Sequence, residues 1–286
     1  MPELPEVEIV RRGLNQVTLN RNIEGGDVLL SRTIAHPFTV IEFFAGLHQV
    51  RITSWHRRGK YLLAQLTNSS NQDGGWLGVH LRMTGQLLWL NQEEPLQKHA
   101  RVRLFFPKGE ELRFVDQRTF GKIWWVPPSE KLEDIITGLK GLGPEPFTPD
   151  FSIEYFVGKL KKCQRSIKTA ILDQALVAGV GNIYADEALF LSGIRPETLG
   201  SALSLEQIER LHHAIIQVLQ AGIEAGGTTF SHFMNVQGVN GNYSGVAWVY
   251  GRRGEPCRVC ETPIQRMKLG GRSSHFCPNC QGTLGV

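Results

Sequence analysis

No stretch of this sequence approaches the roughly 18 consecutive apolar residues that a membrane-spanning helix requires, so no membrane span or membrane partner is expected. A signal-peptide core is also missing. The opening MPELPEVEIVRRGL brings in acids within the first few positions, and an intracellular, cytoplasmic protein is the expectation. Cysteine is scarce over most of the chain: of five, Cys163 stands alone and the others fall between Cys257 and Cys280. Clustering of that kind inside a cell points to a metal and away from a disulfide framework. Net charge is low as well, at +4, but unevenly placed. From Gly251 to Val286, six bases (Arg252, Arg253, Arg258, Arg266, Lys268, Arg272) face only Glu255 and Glu261, so this stretch carries the whole excess. That is the footprint of an element that meets a polyanion, or of simple solubility.

What is present is enough hydrophobic content, 41%, for one large core or two modest ones, which excludes disorder and suggests two domains. Residues 5 to 17 read as a helix, with Pro5 in its first turn and Val7, Val10, Leu14 and Val17 at helical spacing. From about 27 to 126 the pattern is β-rich, with strands predicted at Val40–Phe44, Val50–Ser54, Tyr61–Leu66, Trp76–Leu81, Gln86–Leu90, Val102–Phe106, Leu112–Val115 and Lys122–Val126. So many short strands predict a sandwich or barrel-like pair of sheets. Pro- and Gly-rich punctuation at 127–128 and 141–150 marks a linker, and helices follow. One is predicted from Ser204, which forms a capping box with Gln207, to Gly222; another covers Ile183–Leu191 after the turn Gly179-Val-Gly-Asn182.

Two constellations carry chemistry. Cys257-x2-Cys260 and Cys277-x2-Cys280 have zinc-ribbon spacing, and four thiolates close a tetrahedral site, so the one Zn2+ they predict is structural. Arg266, Lys268 and Arg272 lie between the knuckles, where a rigid ribbon can present them to phosphates. At the other end, the small Pro2 favours removal of Met1, which exposes a secondary amine. An α-amino group titrates at about 7.7–8.0, far below lysine, so a useful fraction is nucleophilic at neutral pH. Such an amine can attack a sugar C1′ to give an iminium, with Glu3 beside it to carry protons. Alone, an opening Met-Pro says little.

The order of several motifs says more. Pro2-Glu-Leu-Pro-Glu-Val-Glu8, Arg57-Arg-Gly-Lys-Tyr-Leu62, His80-Leu-Arg-Met-Thr-Gly85, Asp116-Gln-Arg-Thr-Phe-Gly121 and Gly141-Leu-Gly-Pro-Glu-Pro146 follow one another. Gly179-Val-Gly-Asn-Ile-Tyr-Ala185, Gly226-Gly-Thr-Thr229, Tyr250-Gly-Arg and the cysteines complete the series. Nearly end to end, the sequence resembles the formamidopyrimidine-DNA glycosylase family. The resemblance implies an α+β protein: an N-terminal β-sandwich (1–130), a linker (131–150), a helix–two-turn–helix domain (151–250) and a zinc finger (251–286). It implies damaged double-stranded DNA as the partner, lying across the cleft between domains, and a base-excision activity on oxidised purines such as 8-oxoguanine and formamidopyrimidines, followed by β- and δ-elimination of the abasic strand. By the same resemblance Pro2 is the Schiff-base nucleophile and Glu3 the acid/base. Lys60 contacts phosphate and assists β-elimination, Arg272 clamps phosphate and serves δ-elimination, and Asn182 binds phosphate at a helix start. His99 and Arg118 fall at DNA-contact positions, and Met83, Arg118 and Phe120 match the residues that fill the hole left by an extruded nucleotide. A monomer is the default expectation.

Each of these has a plainer reading. Met83 and Phe120 flank strands and could simply be core; Lys60 and His99 read as ordinary surface side chains, and the Gly179 turn as a helix connection. The family pattern is also broken in places. Arg82 and Thr84 replace the glycine and serine usual around the wedge methionine, and Gln164 stands where a DNA-contacting lysine is common, with Lys161, Lys162, Arg165 and Lys168 nearby to compensate; Lys168 is included among the DNA-binding candidates. Cys163 has no derivable role. The segment Phe233–Val246, rich in glycine and asparagine, reads as a mobile loop over the extruded base, and with Leu4 leans toward the oxidised-purine enzymes. The rivals are an endonuclease VIII-type enzyme for oxidised pyrimidines and a DNA-binding relative without catalysis.

Overall fold

The computed structural model describes residues 1–228 and 234–282. The chain divides into two compact units, one of residues 1–140 with 226–242 and the other of 141–225 with 243–286. The first unit opens with α1 (Leu4–Val17), which starts where Glu3 and Glu6 cap each other's backbone reciprocally and Pro5 presets the first turn. Its buried stripe is Leu4, Val7, Val10 and Leu14, of which the last three join the sandwich core.

The sandwich is built from β1 (Gly25–Val28), β2 (Ile34–His36), then α2 (Val40–Leu47), β3 (Arg51–Arg58), β4 (Tyr61–Thr67), β5 (Asp73–His80), β6 (Gly85–Asn91), β7 (Ala100–Phe106), β8 (Glu110–Asp116) and β9 (Lys122–Val126). A four-stranded sheet runs β1-β7-β8-β6 and a five-stranded one β2-β9-β5-β4-β3, antiparallel except where β2 meets β9. The short helix α3 (Leu132–Ile135) follows. Alternating burial, as in β7 with Val102, Leu104 and Phe106 inward, joins both sheets in one core.

Two features depart from expectation. Val40–Phe44 is not a strand but the first half of α2. Thr39 caps it by accepting the Glu42 N–H at 3.2 Å, and Phe43 and Leu47, four apart, turn inward. Second, residues 226–228 and 234–242 pack with the sandwich although the sequence places them in the helical stretch. Val236 is buried in the sandwich core, its carbonyl accepts the Trp89 N–H at 2.8 Å, and a Cβ on Gly13 would come within 2.5 Å of it. Residues 234–242 of the anticipated loop are thus anchored; Phe233, like Thr229, lies outside the described residues.

The second unit contains α4 (Ile153–Leu160), α5 (Ile167–Ile171), α6 (Asn182–Leu191), α7 (Leu205–Glu224), α8 (Tyr243–Val246) and the hairpin β10 (Gln265–Leu269) with β11 (Arg272–Phe276). Ser204 and Gln207 form the capping box their spacing predicts, and α7 buries Ile208, Leu211, Ile215, Val218 and Leu219. Glu187 on α6 accepts the N–H groups of Trp248, Val249 and Tyr250 at 2.7–2.9 Å, which fixes the chain entering the ribbon. Burial pushes the Glu187 carboxyl upward in pKa, against the pull of those donors. Among the described residues, no helix is long and apolar enough to cross a membrane.

Candidate functional site

Helix α1 begins in a buried, charged setting. Glu3 and Glu6 are both buried; the Glu3 N–H donates to Glu6 Oε2 at 2.8 Å, and the Thr228 N–H donates to Glu6 Oε1 at 3.0 Å. Pro2 is buried between this cap and Met1. Burial lowers the pKa of the Met1 α-amine, opposed by the charges of Glu3 and Glu6 and assisted by those of Lys60 and Arg118. The N-terminus, Glu3, Lys60 and Arg118 are therefore electrostatic neighbours. Glu6 was not singled out from sequence, although an acid three residues after Glu3 is a capping-box signal.

Lys60 sits on the β3–β4 turn, where Gly59 adopts φ +54. Facing it, His80 is half-buried beside Tyr61, with ring centroids 4.5 Å apart, and its Nδ1 accepts the Arg82 N–H at 3.0 Å. Burial, with the positive charges of Arg82 and Lys60, lowers its pKa to about 3, so the imidazole is neutral at physiological pH. Met83 is half-buried on the following turn. Arg118 and Phe120 project from the loop after β8, the guanidinium 5.0 Å from the ring centroid, and Phe120 is 51% exposed. An aromatic that open is not core, which removes the plainer reading for Phe120. His99 is half-buried, its ring 3.1 Å from the Arg101 guanidinium.

The second unit gathers the remaining candidates around one carbonyl. Ser273 O accepts from Asn182 Nδ2 at 3.1 Å and from Lys168 Nζ at 2.6 Å. Arg272, the neighbouring residue, is exposed at the start of β11. Asn182 is the first residue of α6, and its Oδ1 is buried without a hydrogen-bond partner among the described residues. Lys168 differs from the expectation of a surface contact. It is 1% exposed, and its ammonium lies 2.6 Å from Asp186 Oδ1. Asp186 Oδ2 in turn accepts the His275 N–H at 2.8 Å. Lys168 therefore holds the ribbon hairpin from inside, because a buried ammonium persists only where a carboxylate and acceptors surround it.

The cysteine sulfurs lie within 4.8 Å of one another. Cys257 to Cys280 measures 3.8 Å, Cys260 to Cys277 3.5 Å and Cys260 to Cys280 3.4 Å. A tetrahedral zinc with Zn–S of ~2.3 Å needs sulfurs ~3.8 Å apart, so the cage fits one Zn2+. The Val259 and Cys280 N–H groups donate to Cys257 and Cys277 Sγ at 3.5 and 3.4 Å, the bonding that stabilises thiolate charge in a knuckle. With all four positions taken by protein, the ion is structural.

Comparison with known proteins agrees with this geometry. Residues 1–123 match the formamidopyrimidine-DNA glycosylase N-terminal domain, 142–234 the formamidopyrimidine-DNA glycosylase H2TH domain, and 254–282 a zinc finger found in FPG and IleRS. The formamidopyrimidine-DNA glycosylase of Nostoc punctiforme is 68% identical over 286 residues, covering 100% of this chain and 98% of that protein. The one from Trichodesmium erythraeum is 62% identical over 98% of this chain and 100% of its own length. Among solved structures, Lactococcus lactis Fpg bound to abasic-site DNA superposes with a TM-score of 0.88 at 35% identity, over 98% of this chain and 100% of that one. The same enzyme with a Fapy-dG DNA gives the same TM-score, identity and coverage. Matched in all three segments and almost end to end, the chain belongs to the formamidopyrimidine-DNA glycosylase family.

Proposed function

We propose that this DNA glycosylase excises oxidised purines, 8-oxoguanine and formamidopyrimidines, from duplex DNA and then cleaves the abasic strand, working as a monomer. The observation that carries the reading is the buried start of α1, where Pro2 and Glu3 lie beside Glu6 and where Lys60 and Arg118 are charged neighbours of the N-terminus. Once Met1 is removed, the Pro2 secondary amine is the nucleophile. Its lone pair attacks C1′ while the C1′–N9 bond breaks, and the base leaves with that electron pair and takes up a proton. Glu3 moves protons at the sugar, with its carboxylate held by the helix cap. The aminal so formed gives up the amine proton and opens as its C1′–O4′ bond breaks, with O4′ taking a proton from Glu3, and the resulting iminium acidifies C2′. Loss of that proton expels the 3′ phosphate, and a second elimination expels the 5′ phosphate.

Lys60, Asn182 and Arg272 bind phosphates around the lesion, with His99 as a further DNA contact, while Met83, Arg118 and Phe120 fill the space the extruded nucleotide leaves. The exposure of Phe120 and its pairing with Arg118 support that use. Zinc supplies folding of the ribbon and no chemistry. The Lactococcus lactis complexes with abasic-site and Fapy-dG DNA support both the lesion class and the partner.

Borohydride trapping tests the proposal. Protein incubated with an 8-oxoguanine:cytosine duplex is expected to give a covalent adduct that disappears in Pro2→Gly or when Met1 is retained. An adduct formed only with a thymine-glycol duplex would move the specificity to oxidised pyrimidines. No adduct with either, despite a processed N-terminus and bound zinc, would make the protein a DNA-binding relative.

A further inference from the structure

The wedge candidates sit on separate segments, Met83 on the turn after β5 and Arg118 and Phe120 on the loop after β8, yet one buried side chain joins those segments. Asp116, 1% exposed at the end of β8, accepts the Thr84 hydroxyl at Oδ1 and the Gly121 N–H at Oδ2, the latter at 2.8 Å. Thr84 Oγ1 also accepts the Arg118 N–H at 2.9 Å, so its hydroxyl is used as donor and acceptor at once. The Asp116 backbone is equally occupied: its N–H donates to the His99 carbonyl at 2.9 Å, and its own carbonyl accepts Arg101 Nε at 2.8 Å.

The backbone beside the wedge residues has conformations a chain rarely adopts unaided. Arg82 and Thr119, each adjacent to a wedge residue, have φ +54 and +58, at a cost of about 1–2 kcal/mol apiece. A Cβ at Gly121 would lie 2.4 Å from Phe114 and 3.0 Å from Asp116 Oδ2, so only glycine lets the loop close on the carboxylate. Phe120 has no core packing to place it and depends on this backbone.

We propose that Asp116 and Thr84 are positioning residues that set Met83, Arg118 and Phe120 as one rigid wedge for opening the duplex. The proposal rests on the DNA-opening role assigned above. Neither residue touches the reacting atoms; they act through the Arg118 and Gly121 N–H groups, whose direction they fix, and on Met83 through its neighbour Thr84.

The test uses the full chain with zinc bound, and a duplex carrying 2-aminopurine next to 8-oxoguanine, whose fluorescence rises on unstacking whether or not chemistry follows. Thr84→Val, similar in shape but without the hydroxyl, is expected to cut the unstacking rate and duplex excision about ten-fold, the scale of one hydrogen bond to a charged group. Borohydride trapping on a single strand with a preformed abasic site, which needs no wedge, should change less than two-fold. Thr84→Ser restores the hydroxyl and should recover unstacking. If Thr84→Val folds poorly, Asp116→Asn, which keeps the shape and one acceptor, should show the same split in smaller measure. Unstacking at the wild-type rate in folded Thr84→Val sinks the proposal, and so does equal loss of unstacking and single-strand trapping. Thr84-dependent unstacking without 8-oxoguanine excision would keep the wedge assignment and sink the lesion assignment instead.

Discussion

The sandwich and the ribbon both present exposed cations on short turns, but they hold them by different physics. In the sandwich, Arg118 projects from a loop pinned by a neutral hydroxyl and one carboxylate, backed by a core that spans both sheets. In the ribbon, Arg272 projects from a hairpin whose local core is small: Phe190, Val249, Ile264 and two of the cysteines themselves. A module of this size cannot bury enough apolar surface to order itself, so metal ligation and buried ions do the ordering. The difference is one of substitution: where apolar burial is plentiful, a hydrogen-bonded hub suffices, and where it is scarce, charge takes over.

Removing the zinc should give the widest separation between the two regions. Structural zinc contributes about 10–16 kcal/mol in small modules, so chelation should abolish amide protection over residues 254–282 while β4, β5 and β9 keep theirs. Hydrogen exchange followed by mass spectrometry reads both at once, and protection lost in both regions would break the comparison. A smaller effect is expected from Lys168→Met, which leaves Asp186 buried without its ammonium. Breaking one partner of a buried pair costs about 3–5 kcal/mol, and chemical denaturation should place that loss in the second unit alone. Replacing Asp186 with leucine in the same protein should recover part of it; no recovery would mean that the ion pair is not the source.

The smallest effect sharpens the sandwich side. Burial raises the Glu8 pKa, but hydrogen bonds from Arg11 and Arg12 and the charges of Arg11 and Arg57 outweigh it, holding the carboxyl at about 2, below its ordinary 4.5. The folded-state pKa is depressed, so this stabilisation is complete above pH 4.5 and fades as the pH falls toward 2. Glu8→Gln should therefore be less stable than the parent near neutrality and should flatten the acid limb of its unfolding curve. Identical pH profiles for the two proteins would exclude the cluster as a contributor.

Much of this was legible in the residues because the signals were local. The cysteine spacing, the Ser204–Gln207 cap and the alternation in β7 each act within a few positions, and the structure repeats them. Val40–Phe44 misled because β-branched and aromatic residues favour strands, while the deciding Thr39 cap lay just outside the run. Other features depend on partners far along the chain, which local patterning does not carry. Lys168 reads as a surface base until Asp186 and Ser273 surround it. Asp116 and Thr84 are unremarkable polar residues until two loops meet on them.

The return of residues 226–228 and 234–242 to the sandwich makes both compact units discontinuous in sequence. During synthesis, the first unit emerges with its two sheets complete but with the place beside Gly13 unfilled and the Trp89 N–H lacking its carbonyl. Val236 arrives only after all of α7 has been made. The sandwich is therefore finished late, by a segment delivered from beyond the helices. A fragment ending at Lys140 would carry this core without Val236, its last piece.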